Sequence, residues 1–236
     1  MTTTHFRNGV SNQAPGNPLF EYPYLDPFKY YSYVNDFFTY TAGDWTITTT
    51  EAGTGSATEA LTSAAGGALL VTNAAGDNDL DFFNLNGESF KYSSTKNMFF
   101  KARFKVSDAT QSDVVMGMTI TDTTPLDTTD GLFFLKDDGD TNLDFHMEKD
   151  DAATSNTAIS TLADDTFITV AFHYNPNGNA GSGSVSLFVD DSKVAEQTTL
   201  TNIPDDEELT IAFGIQNGEA VAKTMTIDYI IAAVER

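Results

Sequence analysis

The sequence predicts an all-β fold, a two-sheet antiparallel sandwich, on three observations. Apolar residues recur with period two in many short runs. Asn-Gly and Asp-Gly pairs punctuate those runs. No stretch longer than a turn or two keeps a helical period.

The strands are read in chain order. "WTITTT", "ALLVTN" and "DLDFFNL" are candidates in the first half. "MFFKARFKV" alternates most cleanly: Met98, Phe100, Ala102, Phe104 and Val106 share one face, and Phe99, Lys101, Arg103 and Lys105 the other. "DVVMGMTI", "GLFFLK" and "NLDFHME" follow. "TFITVAFHY" places Ile168, Val170, Phe172 and Tyr174 together. "SVSLFVD", "ELTIAFGI" and "MTIDYIIAAV" complete the set. Turns are expected at Asn86-Gly87, Asp130-Gly131, Asp138-Gly139, Asn177-Gly178 and Asn217-Gly218. Abundant Thr suits a pleated surface. About a dozen strands at this spacing read as a sandwich. No repeat or linker divides it.

Residues 1–34 are read differently. Pro15, Pro18, Pro23 and Pro27 fall here, among the aromatics of "LFEYPYLDPFKYYSYVNDFF". Each proline removes a backbone donor and holds the preceding residue extended. The aromatic content argues against a solvated tail. The expectation is an extended docking arm over 1–34 and a sandwich domain over 35–236. Phe20, Tyr22, Tyr24, Phe28, Tyr30 and Tyr31 are its expected partner-binding rings. They would dock on their own domain or on a neighbouring subunit.

Charge bounds the partners. Acidic residues number 34 against 12 basic ones, a net −22 over 236 residues. Such a field repels nucleic acid and anionic membranes, so neither is an expected partner. The absence of cysteine removes disulfides, zinc-thiolate sites and thiol nucleophiles. "MTTTHFRNGVSNQAPGNP" has no apolar h-region, so no Sec leader is expected. No apolar run approaches the ~20 residues of a membrane helix.

With the strands in place, a resemblance emerges. "NDFFTYTAGDWTITTTEAG", "FFKARFKVSDATQSDVVMGMTITDT" and "MTIDYIIAAVER" resemble concanavalin A-like (laminin G-like) jelly-roll domains. The resemblance is closest to those carried by virion proteins of tailed bacteriophages, particularly of marine and cyanobacterial hosts. It covers roughly 35–236, and the "MTTTHFRNGV" start is similar to such phage proteins. It implies a jelly roll that decorates a capsid or sits in a tail or fibre. Lectin and glucanase relatives bind or cut polysaccharide.

In "FFLKDDGDTNLDFHMEKDD", Asp138, Asp140 and Asn142 begin an EF-hand-like spacing. Leu143 stands where the loop needs Gly, and Lys149 where it needs the bidentate Glu, so the match fails. The laminarinase pattern E-x-D-x-E is approached only by Asp144-x-His146-x-Glu148. Strand positions four apart lie ~13 Å apart, beyond the ~5–9.5 Å that glycosidase carboxyls require. His5, His146 and His173 show no metal-ligand spacing. Trp45 is read as a core plug rather than a sugar platform. Lys101, Arg103 and Lys105 form one basic stripe, read as gatekeeping charge. The stretch from 133 to 151 is therefore a hairpin turning at Gly139, with Leu143, Phe145 and Met147 inward.

The expected function is a non-enzymatic virion structural protein, a capsid decoration or cement protein. It would be made in the host cytoplasm and partner the major capsid protein or copies of itself. The alternative is a carbohydrate-binding tail or fibre module, and a polysaccharide hydrolase ranks below both. No cofactor or metal is expected.

Overall fold

The computed structural model describes residues 28–52 and 55–236. Its strands are β1 (Tyr30–Asn35), β2 (Trp45–Thr50), β3 (Thr58–Leu61) and β4 (Leu69–Thr72). Next come β5 (Leu80–Leu85), β6 (Phe90–Lys91), β7 (Met98–Val106) and β8 (Ser112–Thr119). Then follow β9 (Gly131–Lys136), β10 (Asn142–Lys149), β11 (Ala152–Thr161) and β12 (Ile168–Asn175). The last four are β13 (Ser184–Val189), β14 (Ser192–Gln197), β15 (Glu208–Asn217) and β16 (Thr224–Glu235).

They form two eight-stranded antiparallel sheets. Sheet A runs β14-β13-β12-β7-β16-β4-β3, with β1 beside the far end of β16. Sheet B runs β11-β10-β9-β8-β15-β5-β2, with β6 beside β15. The expected all-β, two-sheet antiparallel sandwich is observed.

Period two builds the core. Met98, Phe100, Ala102, Phe104 and Val106 of β7 are buried, and the residues between them are half-exposed. The two sheets meet through rings. Phe172 of β12 stacks beside Phe100 at 5.5 Å and meets Phe145 of β10 at 5.6 Å across the gap. Phe134 of β9 packs on Phe145 at 5.2 Å. A second cluster joins Trp45, Phe83 and Phe213, with Phe83 and Phe213 stacked at 4.7 Å. Trp45 is thus a core residue.

The Asp138-Gly139 turn is where the sequence puts it: Gly139 has φ +91° and its N–H reaches Thr110 O at 2.8 Å. Asp130-Gly131 and Asn217-Gly218 have another cause, since neither glycine adopts positive φ. A Cβ at Gly131 would meet Met118 O and the Phe133 ring at 2.9 Å, so it is close approach that requires glycine there.

β1 lies within the span read as an arm. Tyr31 and Tyr33 alternate inward against the core, and β1 pairs with β16 from Tyr30↔Glu235 to Asn35↔Ile230. No proline follows Pro27 before this strand, so nothing interrupts its ladder. Among the described residues sheet A therefore begins at Tyr30, five residues before the boundary set by composition.

A polar knot closes one end of the sandwich. Asn73 Nδ2 donates to Asp79 O and Ile215 O at 2.8 and 2.9 Å. Asn217 Nδ2 donates to Ala74 O and Gly76 O at 2.7 and 2.8 Å. Asp81 sits beside this knot and points between the sheets, 0% exposed. Its Oδ1 accepts from Thr49 Oγ at 3.0 Å, while Oδ2 has no partner. Burial, with help from nearby Glu59 and Glu51, pushes its pKa up to about 7.

The folded pKa of Asp81 lies above its unfolded value of 3.8. Its contribution to stability is therefore full below about pH 4, declines as pH rises, and is lost above about pH 7. Asp81→Asn is expected to remove this component of the pH dependence, which is on the order of 4 kcal/mol at most. Thermal unfolding of both proteins from pH 4 to 8 measures it. Parallel pH profiles would show that Asp81 does not titrate in this window.

Candidate functional site

The residues singled out as candidate chemistry lie on the outer face of sheet B. The register of β9 and β10 runs unbroken from Asp144↔Leu135 to Glu148↔Gly131. Asp144, His146 and Glu148 therefore stand in one row along a regular stretch. Strand rise keeps the two carboxylate positions ~13 Å apart at the backbone. Leu143, Phe145 and Met147 are fully buried on the other face.

Each polar side chain in the row already has a local task. Asp144 Oδ1 accepts the backbone N–H of Ala158 at 2.7 Å. It thereby holds a bulge in which Thr157, Ala158 and Ile159 stand opposite a single residue, with Ala158 at φ +52°. His146 Nδ1 lies 3.1 Å from Glu148 Oε1 and 3.3 Å from Ser155 Oγ. A serine nucleophile relay needs the acid on one ring nitrogen and the hydroxyl on the other. Here both contact Nδ1, so the arrangement orients the ring and activates no hydroxyl. The ring lies flat on Phe133, with centroids 5.5 Å apart and planes 21° apart.

The acidic turn beyond Asp144 is a depression of about 240 Å³ lined by Asp137, Asp140, Asn142, Asp144, Thr157 and Ala158. Two of its lining carboxylates, those of Asp140 and Asp144, serve the backbone. Asp140 Oδ1 accepts Asn142 N–H at 2.7 Å, and Asp113 Oδ1 accepts Asp138 N–H at 2.7 Å. Among the described residues, no three His, Cys, Asp or Glu side chains are grouped to hold a metal ion.

Beside this row the outer face carries an apolar layer. Leu80, Phe82, Val115, Phe133, Leu135 and Ala212 form a second buried cluster outside the main core. Its rings lie on glycines. A Cβ at Gly117 would meet Phe133 Cα at 2.5 Å, and one at Gly214 would meet Phe82 Cδ2 at 2.5 Å. Part of the cluster is covered by the chain itself. The loop between β8 and β9 crosses the face, and Leu126, within its single turn of 3-10 helix, packs on these residues. Thr48 Oγ and Asn84 Nδ2 hold that loop through Asp122 O and Ile120 O.

Sequence reasoning missed this layer, along with Lys136. Lys136 points inward, 0% exposed, and its ammonium donates to Thr110 O and Ser112 O. Burial lowers its pKa. The glycines inside "VVMGMT" and "IAFGIQ" were the available signal, because an isolated strand glycine marks a close approach.

On the outer face of sheet A the basic stripe is neutralised. Lys101 pairs with Asp191 at 2.5 Å and Lys105 with Asp165 at 3.1 Å. Arg103 pairs with Asp228, the extra residue of a bulge in β16, and stacks over Phe167 at 4.1 Å. His173 shares this face, bonded to Asn97 at 3.1 Å, and burial lowers its pKa.

The expected partner-binding rings do not act as one group. Phe20, Tyr22 and Tyr24 lie outside the described residues. Phe28 is 90% exposed. Tyr30 is the first residue of β1 and is half-buried. Tyr31 packs inward on Phe90 at 5.8 Å, with Arg236 over its ring at 5.6 Å, and its hydroxyl accepts Lys91 N–H at 3.3 Å. Its ring therefore belongs to the domain's own packing.

No protein-family model matches the sequence, and comparison with curated proteins finds no match. Solved structures do. A protein of unknown function, SO2946 from Shewanella oneidensis MR-1, aligns with TM-score 0.60 and 16% identity over 94% of this chain and 95% of its own. An endo-1,3-beta-glucanase from Streptomyces sioyaensis gives 0.61 and 12%, over 87% and 96%. The Emp46p carbohydrate recognition domain gives 0.55 and 11%, over 84% and 94%. At these identities the likeness shows fold: the sandwich is a concanavalin A-like, lectin-type jelly roll.

Replacing Leu126 tests the cover on sheet B. Leu126→Ala is expected to lower stability by about 1–2 kcal/mol, less than for a fully buried leucine. Urea unfolding measures it. An unchanged midpoint would show that the loop is not packed on the face.

Proposed function

We propose that this chain is a non-enzymatic structural protein of a tailed-phage virion, decorating the capsid by docking on the major capsid protein. The observation that carries the reading is the fate of the polar groups. Asp144 caps a bulge, Glu148 and Ser155 share one nitrogen of His146, and the acidic turn binds its own backbone. What the surface offers a partner is apolar. Phe28, Val34 and Phe38, at 90, 62 and 72% exposed, lie in β1 and on either side of it in the chain. The resemblance to phage virion domains supplies the setting. A cementing role needs a rigid sandwich and repeated weak contacts on a closed shell, multiplied by avidity. Each large side chain fully buried on a neighbour contributes roughly 1.5–3 kcal/mol. A net charge of −22 keeps decorated particles apart and turns away the packaged nucleic acid.

The second reading is a carbohydrate-binding module on a tail or fibre. Its supporting observation is the structural likeness to a carbohydrate recognition domain.

Shell binding separates the two. Deleting residues 1–27 leaves every described strand intact and is expected to abolish capsid decoration while the unfolding temperature holds. Decoration at the intact level would sink the role of the arm. Glycan-array or host-cell binding by a protein that ignores shells would move the assignment to the second reading. Sugar release that disappears in Asp144→Ala or Glu148→Ala would overturn both.

A further inference from the structure

We propose that Asn177, in the turn between β12 and β13, is a site of spontaneous chemical modification: in the folded protein it converts to isoaspartate and aspartate while the other described Asn-Gly pairs stay intact. Those pairs are Asn86-Gly87 and Asn217-Gly218. The chemistry open to all three is the same. The glycine amide gives up its proton to water or hydroxide, and its nitrogen attacks Cγ of the asparagine. A new C–N bond forms and the Cγ–Nδ2 bond breaks. Nδ2 takes up a proton from water and leaves as ammonia, and a five-membered imide remains. Water then opens that ring at either carbonyl, which gives aspartate or isoaspartate. Nothing is oxidised or reduced. Glycine favours the attack because no Cβ shields its nitrogen. The pairs differ in how tightly the fold holds the two reacting groups.

Asn217 is held most firmly. It is fully buried. Its Nδ2 donates to Ala74 O and Gly76 O, and its Oδ1 accepts from Asn73 Nδ2 at 3.2 Å and from Lys223 N–H at 3.1 Å. Gly218 N–H donates to Gln111 O at 3.0 Å. Asn86 lies at the surface, but its carboxamide is pinned at both ends. Thr46 Oγ donates to its Oδ1 and its Nδ2 donates to Gly43 O, both at 2.8 Å. Its Cγ is thereby held toward β2 and not toward Gly87.

Asn177 has neither restraint. It is exposed, and its backbone N–H donates to Asn175 Oδ1 at 3.0 Å, while no described residue bonds its carboxamide. The side chain is free to turn onto Gly178. One hydrogen bond, Gly178 N–H to Asn175 O at 3.1 Å, has to open first. The product disturbs this connection. Isoaspartate lengthens the backbone by a methylene and adds a negative charge. Gly178 O accepts the N–H groups of Gly181 and Gly183 at 2.9 and 3.0 Å, and a Cβ on Gly178 would lie 2.0 Å from Ser184 Oγ. An extra methylene displaces the residue on which the connection folds. The inference concerns the free protein and rests on no functional reading.

The three pairs fall on separate tryptic peptides, 30–91, 150–193 and 194–223. The full chain is aged at pH 8 below its unfolding temperature. Each peptide is then followed by mass for amide-to-acid conversion, with fragmentation locating the residue. Conversion at Asn177 is expected to outrun that at Asn86 on the order of tenfold, with none at Asn217. Ageing in concentrated urea is expected to bring the three rates together. Thr46→Val, which frees one end of the Asn86 carboxamide, is expected to raise conversion at Asn86 roughly fivefold and to leave Asn177 unchanged. Three results overturn the proposal: Asn86 or Asn217 converting as fast as Asn177 in the folded protein, a lead for Asn177 that persists in urea, or an Asn86 rate that ignores Thr46→Val.

Discussion

The contact of Phe172 with Phe145 fixes the rest of the molecule. It joins β12 of one sheet to β10 of the other, with Phe100 and Phe134 completing the layer. Buried rings contribute roughly 1.5–3 kcal/mol each through area and ~0.5–1.5 kcal/mol more per pair through geometry. Once these rings face inward, the period of two leaves no freedom to their neighbours. Lys101 must point out because Phe100 points in, and His146 must point out because Phe145 points in. The basic stripe and the Asp144–Glu148 row are by-products of one packing decision.

Sheet B goes further, because its central strands β5, β8, β9 and β15 are buried on both sides. That arrangement is unusual for an antiparallel sheet, whose outer face is often wet. Glycine makes it possible: at Gly117 and Gly214 the backbone itself becomes the surface on which Phe133 and Phe82 lie. The loop carrying Leu126 then covers part of the rings. The polar row is left at the margin of this apolar layer, where its hydrogen bonds go to bulge and strand rather than to open water. Polar groups in such a place are costly unless satisfied, which explains why Asp144 and His146 have local partners.

Much of this was legible in the sequence, for a physical reason. Strands wet on one face advertise themselves by alternation, and β7, β10, β12 and β16 do so. Strands buried on both faces do not. "DLDFFNL" and "GLFFLK" read as apolar runs, and nothing local says which Phe faces the core. Asp81 and Lys136 sit at inward positions by parity, yet an ionisable side chain at a strand end ordinarily reads as solvated. What holds Lys136 inward is a pair of carbonyls, those of Thr110 and Ser112, more than twenty residues earlier in the chain. β1 was obscured by composition, since prolines up to Pro27 coloured the reading of the tyrosines that follow. The local hydrogen bonds of Asp144 depend on a bulge in a neighbouring strand, and a bulge has no signature in a run of Ala, Thr and Ser.

Charge and packing together decide what kind of recognition this surface can support. Among the described residues, six basic side chains at the surface, Lys91, Lys101, Arg103, Lys105, Lys149 and Lys193, lie within 4.0 Å of a carboxylate. Exposed pairs of this kind add little stability, about 0–1 kcal/mol each, but they remove the basic patches that would attract an acidic partner. Long-range attraction therefore has little to work with except cations and basic surfaces. Short-range contact is different. At physiological salt the field of a net −22 decays within a Debye length of ~8 Å, whereas apolar contact acts only once surfaces touch. The strip of Val34, Ile231 and Tyr229 lies where pairing has already neutralised the nearest lysine and arginine. On a strongly acidic sandwich, apolar contact is the recognition mode that its own electrostatics opposes least.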